Sequence, residues 1–279
     1  MTERAVAPAK LNLDLHVLGE ERGGYHRLRS LAQAIDYYDT LYAEPSDEDR
    51  LDIDGEEIQE KNLVWEAVES LRRRSGDRTP LHLDLEKRIP VAAGLGGGSA
   101  DAAAALVLVG HILEVDDVAD LALPLGADVP FFLHGGLAMM EGRGQQLTRL
   151  PLVSDYAVGV VTPTFRLSTA EVFNAWDRLG DAKVRPIRAG AVPPSLRTYA
   201  PLINDLEPAA RLVAPELGDW ISDMEHLWDR PVLLTGSGPT LFAFFVDVDE
   251  ARSAVTSAPG RAAFAARPIP GGVRVEPRL

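Results

Sequence analysis

Gly94-Leu-Gly-Gly-Gly-Ser-Ala-Asp101 runs straight into Ala102–Val109, so four glycines in five positions sit at the mouth of an alanine- and leucine-rich helix. Glycine lets the chain take positive φ and lets a ligand come close to backbone amides. A helix N-terminus adds unpaired N–H groups and partial positive charge. The combination suits an anion, most often phosphate. A plain turn ahead of a buried helix would use the same residues, and the loop alone leaves that reading open. Asp101 reads as a first-turn acid that suits the helix dipole.

Several phosphate chemistries are excluded by the residues around the loop. A P-loop closes on Gly-Lys-Ser/Thr, whereas here Ser99 is followed by Ala100 and Asp101. The dinucleotide fingerprint needs a third glycine where Ser99 stands. No protein-kinase catalytic-loop or Asp-Phe-Gly signature occurs. The 279 residues are 46% hydrophobic and 25% charged, ordinary globular composition with length for two domains. A net charge of −14 argues against a nucleic-acid partner, though not against a nucleotide held by a few local donors. With no cysteine there is no thiolate chemistry, disulfide or Cys-ligated metal. The N-terminus makes a poor signal peptide and no apolar run approaches a membrane span, so the expectation is a cytoplasmic protein without a membrane partner. Only Lys10, Lys61, Lys87 and Lys183 among the 28 basic residues are lysines. A lysine kept in an arginine-rich chain suggests a place for a compact ammonium.

The elements that must position these residues follow from periodicity. Ala5–Val17 alternates as a strand, and Leu31–Tyr42 suits a second beyond a turn at Gly23-Gly24. Asp47–Glu60 is acidic and turn-rich, and Asn62–Arg74 is an amphipathic helix. Leu81, Leu83 and Leu85 alternate with His82, Asp84 and Glu86, a strand that delivers Lys87 to the glycine loop. A helix from Ser99, a short helix near Val115–Leu123, a loop at Gly126–Phe132 and a strand and turn over Leu137–Gln146 follow. The pattern restarts near Leu150 with a strand at Tyr156–Thr162, a helix at Ser168–Leu179 and a loop at Ala182–Tyr199. Helices around Pro208 and Pro215–Leu227 precede strands at Val232–Leu234 and Leu241–Val246, joined through Thr235-Gly-Ser-Gly-Pro-Thr240. The layout is α+β in two domains, 1–152 and 153–279.

Three separated motifs, Pro8-Ala-Lys-Leu-Asn-Leu13, Pro90-Val-Ala-Ala-Gly-Leu-Gly-Gly-Gly-Ser99 and Thr235-Gly-Ser-Gly-Pro-Thr240, together resemble the GHMP kinase superfamily. Gly24-Tyr-His26, Gly126-Ala-Asp-Val-Pro-Phe-Phe132 and Asn204-Asp-Leu-Glu207 point to the branch acting on a cytidine diphosphate-linked methylerythritol in the non-mevalonate isoprenoid route. The resemblance covers nearly the whole chain. It implies an N-terminal domain like ribosomal protein S5 domain 2, a ferredoxin-like C-terminal domain, and ATP and substrate meeting between them. A homoserine- or mevalonate-type kinase and a catalytically silent nucleotide-binding protein are the alternatives. Arg27 departs from the glutamate common after Tyr-His in the branch.

Site roles follow from that resemblance alone. Gly94, Leu95, Gly96, Gly97, Gly98, Ser99 and Ala100 would wrap the ATP phosphates, with Asn62, Lys87 and Pro90 around the nucleotide. Asp128 would take the acceptor hydroxyl's proton or orient that hydroxyl, and Lys10 would hold Asp128 ionised. Tyr25 and Phe173 would sandwich the cytosine and His26 would read its edge. Asn12 and Thr169 would line the substrate pocket, and Gly236, Ser237 and Gly238 would close near its phosphates. ATP chemistry implies Mg²⁺, for which Ser99 is the candidate side-chain ligand. The expected assembly is a monomer or weak homodimer.

Overall fold

A computed structural model describes residues 3–21, 25–55, 62–180 and 184–277, with the side chains of Glu20, Glu21 and Tyr25 outside that description. The turn at Gly23-Gly24, Lys61, Lys183 and parts of the 47–60 and 182–199 segments fall outside it as well.

Among the described residues the chain forms two sheets. The first takes β1 (Glu3–Glu21), β2 (Tyr25–Pro45), β3 (Arg50–Asp54), β4 (Leu81–Glu86), β5 (Leu137–Gly142) and β6 (Gln146–Leu150). β1 and β2 form a long antiparallel pair. β2 then serves two neighbours along its length, β5 over residues 28–33 and β4 over 40–45. β3 was expected as part of an acidic turn region. It pairs parallel with β4, its Leu51 packing on the core while Asp52 and Asp54 face outward. The second sheet has the order β10-β7-β9-β8, with β7 (Ala157–Thr162), β8 (Leu233–Leu234), β9 (Leu241–Phe245) and β10 (Ala262–Ala266).

The last strand, β11 (Arg274–Pro277), leaves the second sheet and pairs with β1 at the edge of the first. Apart from this returning strand, the strands of the first sheet end at Leu150 and those of the second begin at Ala157. Bridges Leu15 to Asn204 and Ile35 to Pro268 tie the two halves at further points.

α1 (Leu63–Ser75) starts at Asn62, whose side chain accepts from Val64 N, and stops at Gly76 with φ 76°. α2 (Gly97–Ile112) has alanines on several faces and is buried nearly all round, as a helix without a polar face must be. It packs between α1 and the first sheet through Ala102–Ala105, Val64, Ala67 and Val68. α3 (Ala119–Leu125) and α4 (Val129–His134) follow. α4 replaces the loop expected at 126–132, because Phe131 and Phe132 reach the core together only from a helical turn.

The second sheet carries α5 (Thr169–Leu179), α6 (Glu207–Val213), α7 (Glu216–Trp228) and α8 (Val248–Val255). α5 is capped by Ser168, and short 3-10 turns at Ala189–Ala191 and Pro194–Tyr199 occupy the expected loop.

Candidate active site

The glycine loop is held by close approach at two points. Gly94 has φ +79°, and a Cβ there would lie 2.4 Å from the Thr235 carbonyl oxygen. Gly96 has φ +75°, and a Cβ there would meet the Phe132 ring at 2.6 Å and Lys10 Cγ at 3.1 Å. Only glycine serves both demands. The two glycine-bearing turns, 94–98 and 235–238, are thus packed on each other, and the first also leads into the helix head of α2.

Lys10 reaches the same place from β1. Its backbone N–H donates to the Leu95 carbonyl at 3.0 Å, fixing the strand against the loop. Its ammonium lies 3.3 Å from Asp128 Oδ2 and 2.5 Å from Asn12 Oδ1. The Lys10 side chain is only 6% exposed while Asp128 is 31% exposed, so the carboxylate is open to a ligand and the ammonium is not free to wander. Asp128 sits at the N-cap position of α4 but makes no side-chain cap, which leaves its oxygens for Lys10. Ser99, in the first turn of α2, places its hydroxyl 3.5 Å from where a Gly126 Cβ would stand, beside the loop bearing Asp128.

A hydrogen-bond chain continues from Lys10 into the second half. Asn12 N–H donates to Thr235 Oγ1 at 2.9 Å, and Asn12 Nδ2 donates to Ser30 Oγ at 2.6 Å. Ser237 Oγ and Thr169 Oγ1 are 2.9 Å apart. Thr169, Phe173 and Asp177 succeed one another at four-residue steps and so share a face of α5. His26 packs on that face, stacked on Phe173 at 4.9 Å and edge-on to Trp176 at 5.3 Å, with Nε2 at 2.6 Å from Asp177 Oδ1. The Tyr25 side chain, expected as the other half of the sandwich, lies outside the described residues. Arg27 is exposed.

Lys87 reaches the glycine loop from beneath: its ammonium, 2% exposed, bridges Asp39 and Asp101 in the interior and lies 3.3 Å from where a Gly97 Cβ would stand. The reason is parity: Leu81, Leu83 and Leu85 are buried, and residue 87 continues that face. Asp101 is accordingly the buried partner of Lys87, beyond the first turn, and not an exposed helix-dipole acid. Asn62 caps α1, and no described hydrogen bond joins it to the glycine loop; its Nδ2 is buried without a partner among the described residues. Pro90 is buried in the loop ahead of Gly94.

Residues that sequence reasoning missed are mostly hidden supports. Asn204, 3% exposed, donates from Nδ2 to the carbonyls of Leu234 and Gly236, both at 2.8 Å, and accepts from Leu206 N. Its signal was its place in Asn204-Asp-Leu-Glu207, a motif without an assigned role. Arg261 holds the Val91 carbonyl at 2.6 Å, with nothing in the sequence to announce it. Among the described residues no three His, Asp or Glu side chains gather as a metal cage. A single hydroxyl near a half-exposed carboxylate fits a hard cation that keeps waters and phosphate oxygens as most of its ligands.

The glycine-bearing head of α2, a lysine–carboxylate pair beside it and a second glycine turn packed on the first are thus brought to one place. Residues 62–136 match the GHMP kinases N terminal domain. The 4-diphosphocytidyl-2-C-methyl-D-erythritol kinase of Pelotomaculum thermopropionicum is 38% identical over 267 residues, covering 90% of this chain and 92% of its own. That of a Polaromonas species is 39% identical over 263 residues, covering 87% and 84%. A crystal structure of 4-(cytidine 5'-diphospho)-2C-methyl-D-erythritol kinase superposes with a TM-score of 0.79 at 35% identity, covering 96% of this chain and 99% of that one. Homoserine kinase from Cytophaga hutchinsonii shares the fold, with a TM-score of 0.70 at 17% identity over 99% and 97% of the two chains. The chain belongs to the 4-diphosphocytidyl-2-C-methyl-D-erythritol kinase family of GHMP kinases.

Proposed function

We propose that this protein transfers the γ-phosphoryl group of ATP to the 2-hydroxyl of 4-diphosphocytidyl-2-C-methyl-D-erythritol, an isoprenoid-precursor step carried out in the cytoplasm. The observation that carries the reading is the Lys10–Asp128 pair, 3.3 Å apart and directly beside Gly96 at the head of α2. The first sheet with its helices is the S5 domain 2-like part, and the second is the ferredoxin-like part.

Phosphoryl transfer depends on alignment and charge stabilisation more than on covalent help from the protein. The amides of 96–99 and the helix dipole receive the phosphates. The acceptor hydroxyl gives its proton to Asp128, its oxygen bonds to the γ-phosphorus, and the bond to the ADP oxygen breaks. Lys10 faces Asp128 and the nucleophile, holding the carboxylate in place and offsetting charge on the attacking oxygen. Mg²⁺, held mainly by phosphate oxygens and waters with Ser99 at hand, would neutralise charge on the phosphates. Phe173, His26 and Asp177 receive the cytidine end, and Thr169 and Ser237 face its phosphates.

The test is the purified protein with ATP, Mg²⁺ and each of three acceptors. Phosphorylation of the cytidine diphosphate substrate, with homoserine and mevalonate left untouched, is expected. Turnover of either of those alcohols in its place overturns the assignment.

A further inference from the structure

Between β10 and β11 the chain runs as a strap, residues 267–273, that crosses from the second sheet to the first. It is bonded along β2. Asp36 N–H donates to the Arg267 carbonyl at 3.0 Å, Ile269 N–H donates to the Ala34 carbonyl at 3.0 Å, and Gln33 Nε2 donates to the Ile269 carbonyl at 3.2 Å. At its far end Val273 N–H donates to the Phe132 carbonyl at 2.8 Å. Carbonyls in the last turn of a helix have no partner within it, so the strap caps α4 from outside. The approach is backbone against backbone. A Cβ on Gly272 would run into the Phe132 carbonyl oxygen, whereas one on Gly271 would meet nothing within 4 Å.

Phe132 passes that contact on to the site. Its N–H donates at 3.4 Å to the carbonyl of Asp128, which also receives the Phe131 N–H at 3.1 Å. Its ring fills the space that a Cβ on Gly96 would need. One residue therefore connects the strap, the backbone of Asp128 and the glycine loop. A helix of six residues has little stability of its own, so the place of α4 depends on what packs against it.

We infer that Phe132 and Gly272 are positioning residues for Asp128. The returning strap fixes α4, and with it the distance of the carboxylate from Lys10 and from the glycine loop. This rests on the reading that Asp128 receives the acceptor hydroxyl's proton. Phe132 is 0% exposed and Gly272 is buried, so neither meets a ligand, and their influence runs through the backbone of α4. The strap leaves the second sheet directly from β10. The helix bearing the proton acceptor is thereby held by the half of the molecule that carries Thr169 and Ser237, the proposed acceptor-side residues.

Two neighbouring substitutions test this. Gly272→Ala and Gly271→Ala add the same methyl group, and neither backbone has a positive φ, so only the room available differs. Misplacing a reacting group by about 1 Å costs on the order of a hundredfold. Gly272→Ala should therefore lower kcat by roughly tenfold to a hundredfold, with KM for ATP and for the cytidine substrate within about threefold of wild type. Gly271→Ala should keep kcat within about twofold. Added to Asp128→Asn, Gly272→Ala should cost less than about threefold more, because the group it displaces is already disabled. Equal losses in the two backgrounds, as a general loosening of the fold would give, overturn the inference, and so does an unaltered kcat in Gly272→Ala. An unaltered kcat in Asp128→Asn defeats the proton-acceptor reading and the inference with it, whereas a loss there beside equal losses from Gly272→Ala defeats the inference alone. If Gly272→Ala does not fold, amide hydrogen exchange of the wild-type protein decides. The Val273 and Gly135 amides should exchange together at one free energy of opening, and a Val273 amide exchanging apart from Gly135 overturns the strap.

Discussion

The glycine loop draws its residues from one stretch, Pro90 to Ala100, whereas the proposed acceptor side takes Asn12 from β1, His26 from β2, Thr169 and Phe173 from α5, and Ser237 from the second turn. The loop is locked from beneath by a buried ion cluster and from the side by Thr235 and Phe132. On the acceptor side Thr169 is exposed, and the His26–Asp177 contact has a carboxylate 44% open to water. A donor common to many kinases can be held by a rigid cradle read through backbone amides. Discrimination of a base needs side chains from several elements meeting at its edge, and such contacts are more solvated and individually weaker.

The largest effect should come where the two regions meet. Asp128→Asn is expected to lower kcat by roughly 10²–10⁴ with an unchanged melting curve, and an unaltered kcat removes Asp128 from proton transfer. Gly94→Ala attacks the rigid side. A methyl at φ +79° and 2.4 Å from the Thr235 oxygen should cost about 1–3 kcal/mol in urea unfolding and raise the KM for ATP. Wild-type values for both would show that the contact between the turns is dispensable. Asn204→Ala strands the Leu234 and Gly236 carbonyls, a loss of about 1–3 kcal/mol, and should raise KM for the cytidine substrate more than for ATP. The reverse order would place Asn204 on the donor side of the comparison. Asp177→Ala should be mildest, an up to about fivefold rise in KM for the cytidine substrate with kcat unchanged, as a partly solvated pair allows. A fall in kcat there would show that His26 is coupled to the chemistry.

Much of the fold was legible because its signals are local. The alternation of Leu81–Leu85, the capped helix after Asn62 and the helix after the glycines all stand where periodicity puts them. β3 was hidden because Asp52 and Asp54 lie on its outer face, and a short acidic strand looks like a turn until β4 supplies its partner. β11 was unreadable because four residues carry too little pattern to say which sheet they join. The burial of Lys87 has a related reason: the resemblance places it around the nucleotide, while its parity with Leu85 carries the side chain inward beneath the loop.

What the sequence determined by itself was the glycine-headed helix: contiguous glycines before a helix create free amides and a dipole suited to an anion wherever the rest of the chain goes. The tertiary structure decided everything that depends on distant residues meeting. It set Lys10 against Asp128 and Phe173 against His26, and it closed Asp39, Lys87 and Asp101 into one buried cluster. Backbone conformation is a local property of residue type, but charge pairing and desolvation arise only where separated segments share a place.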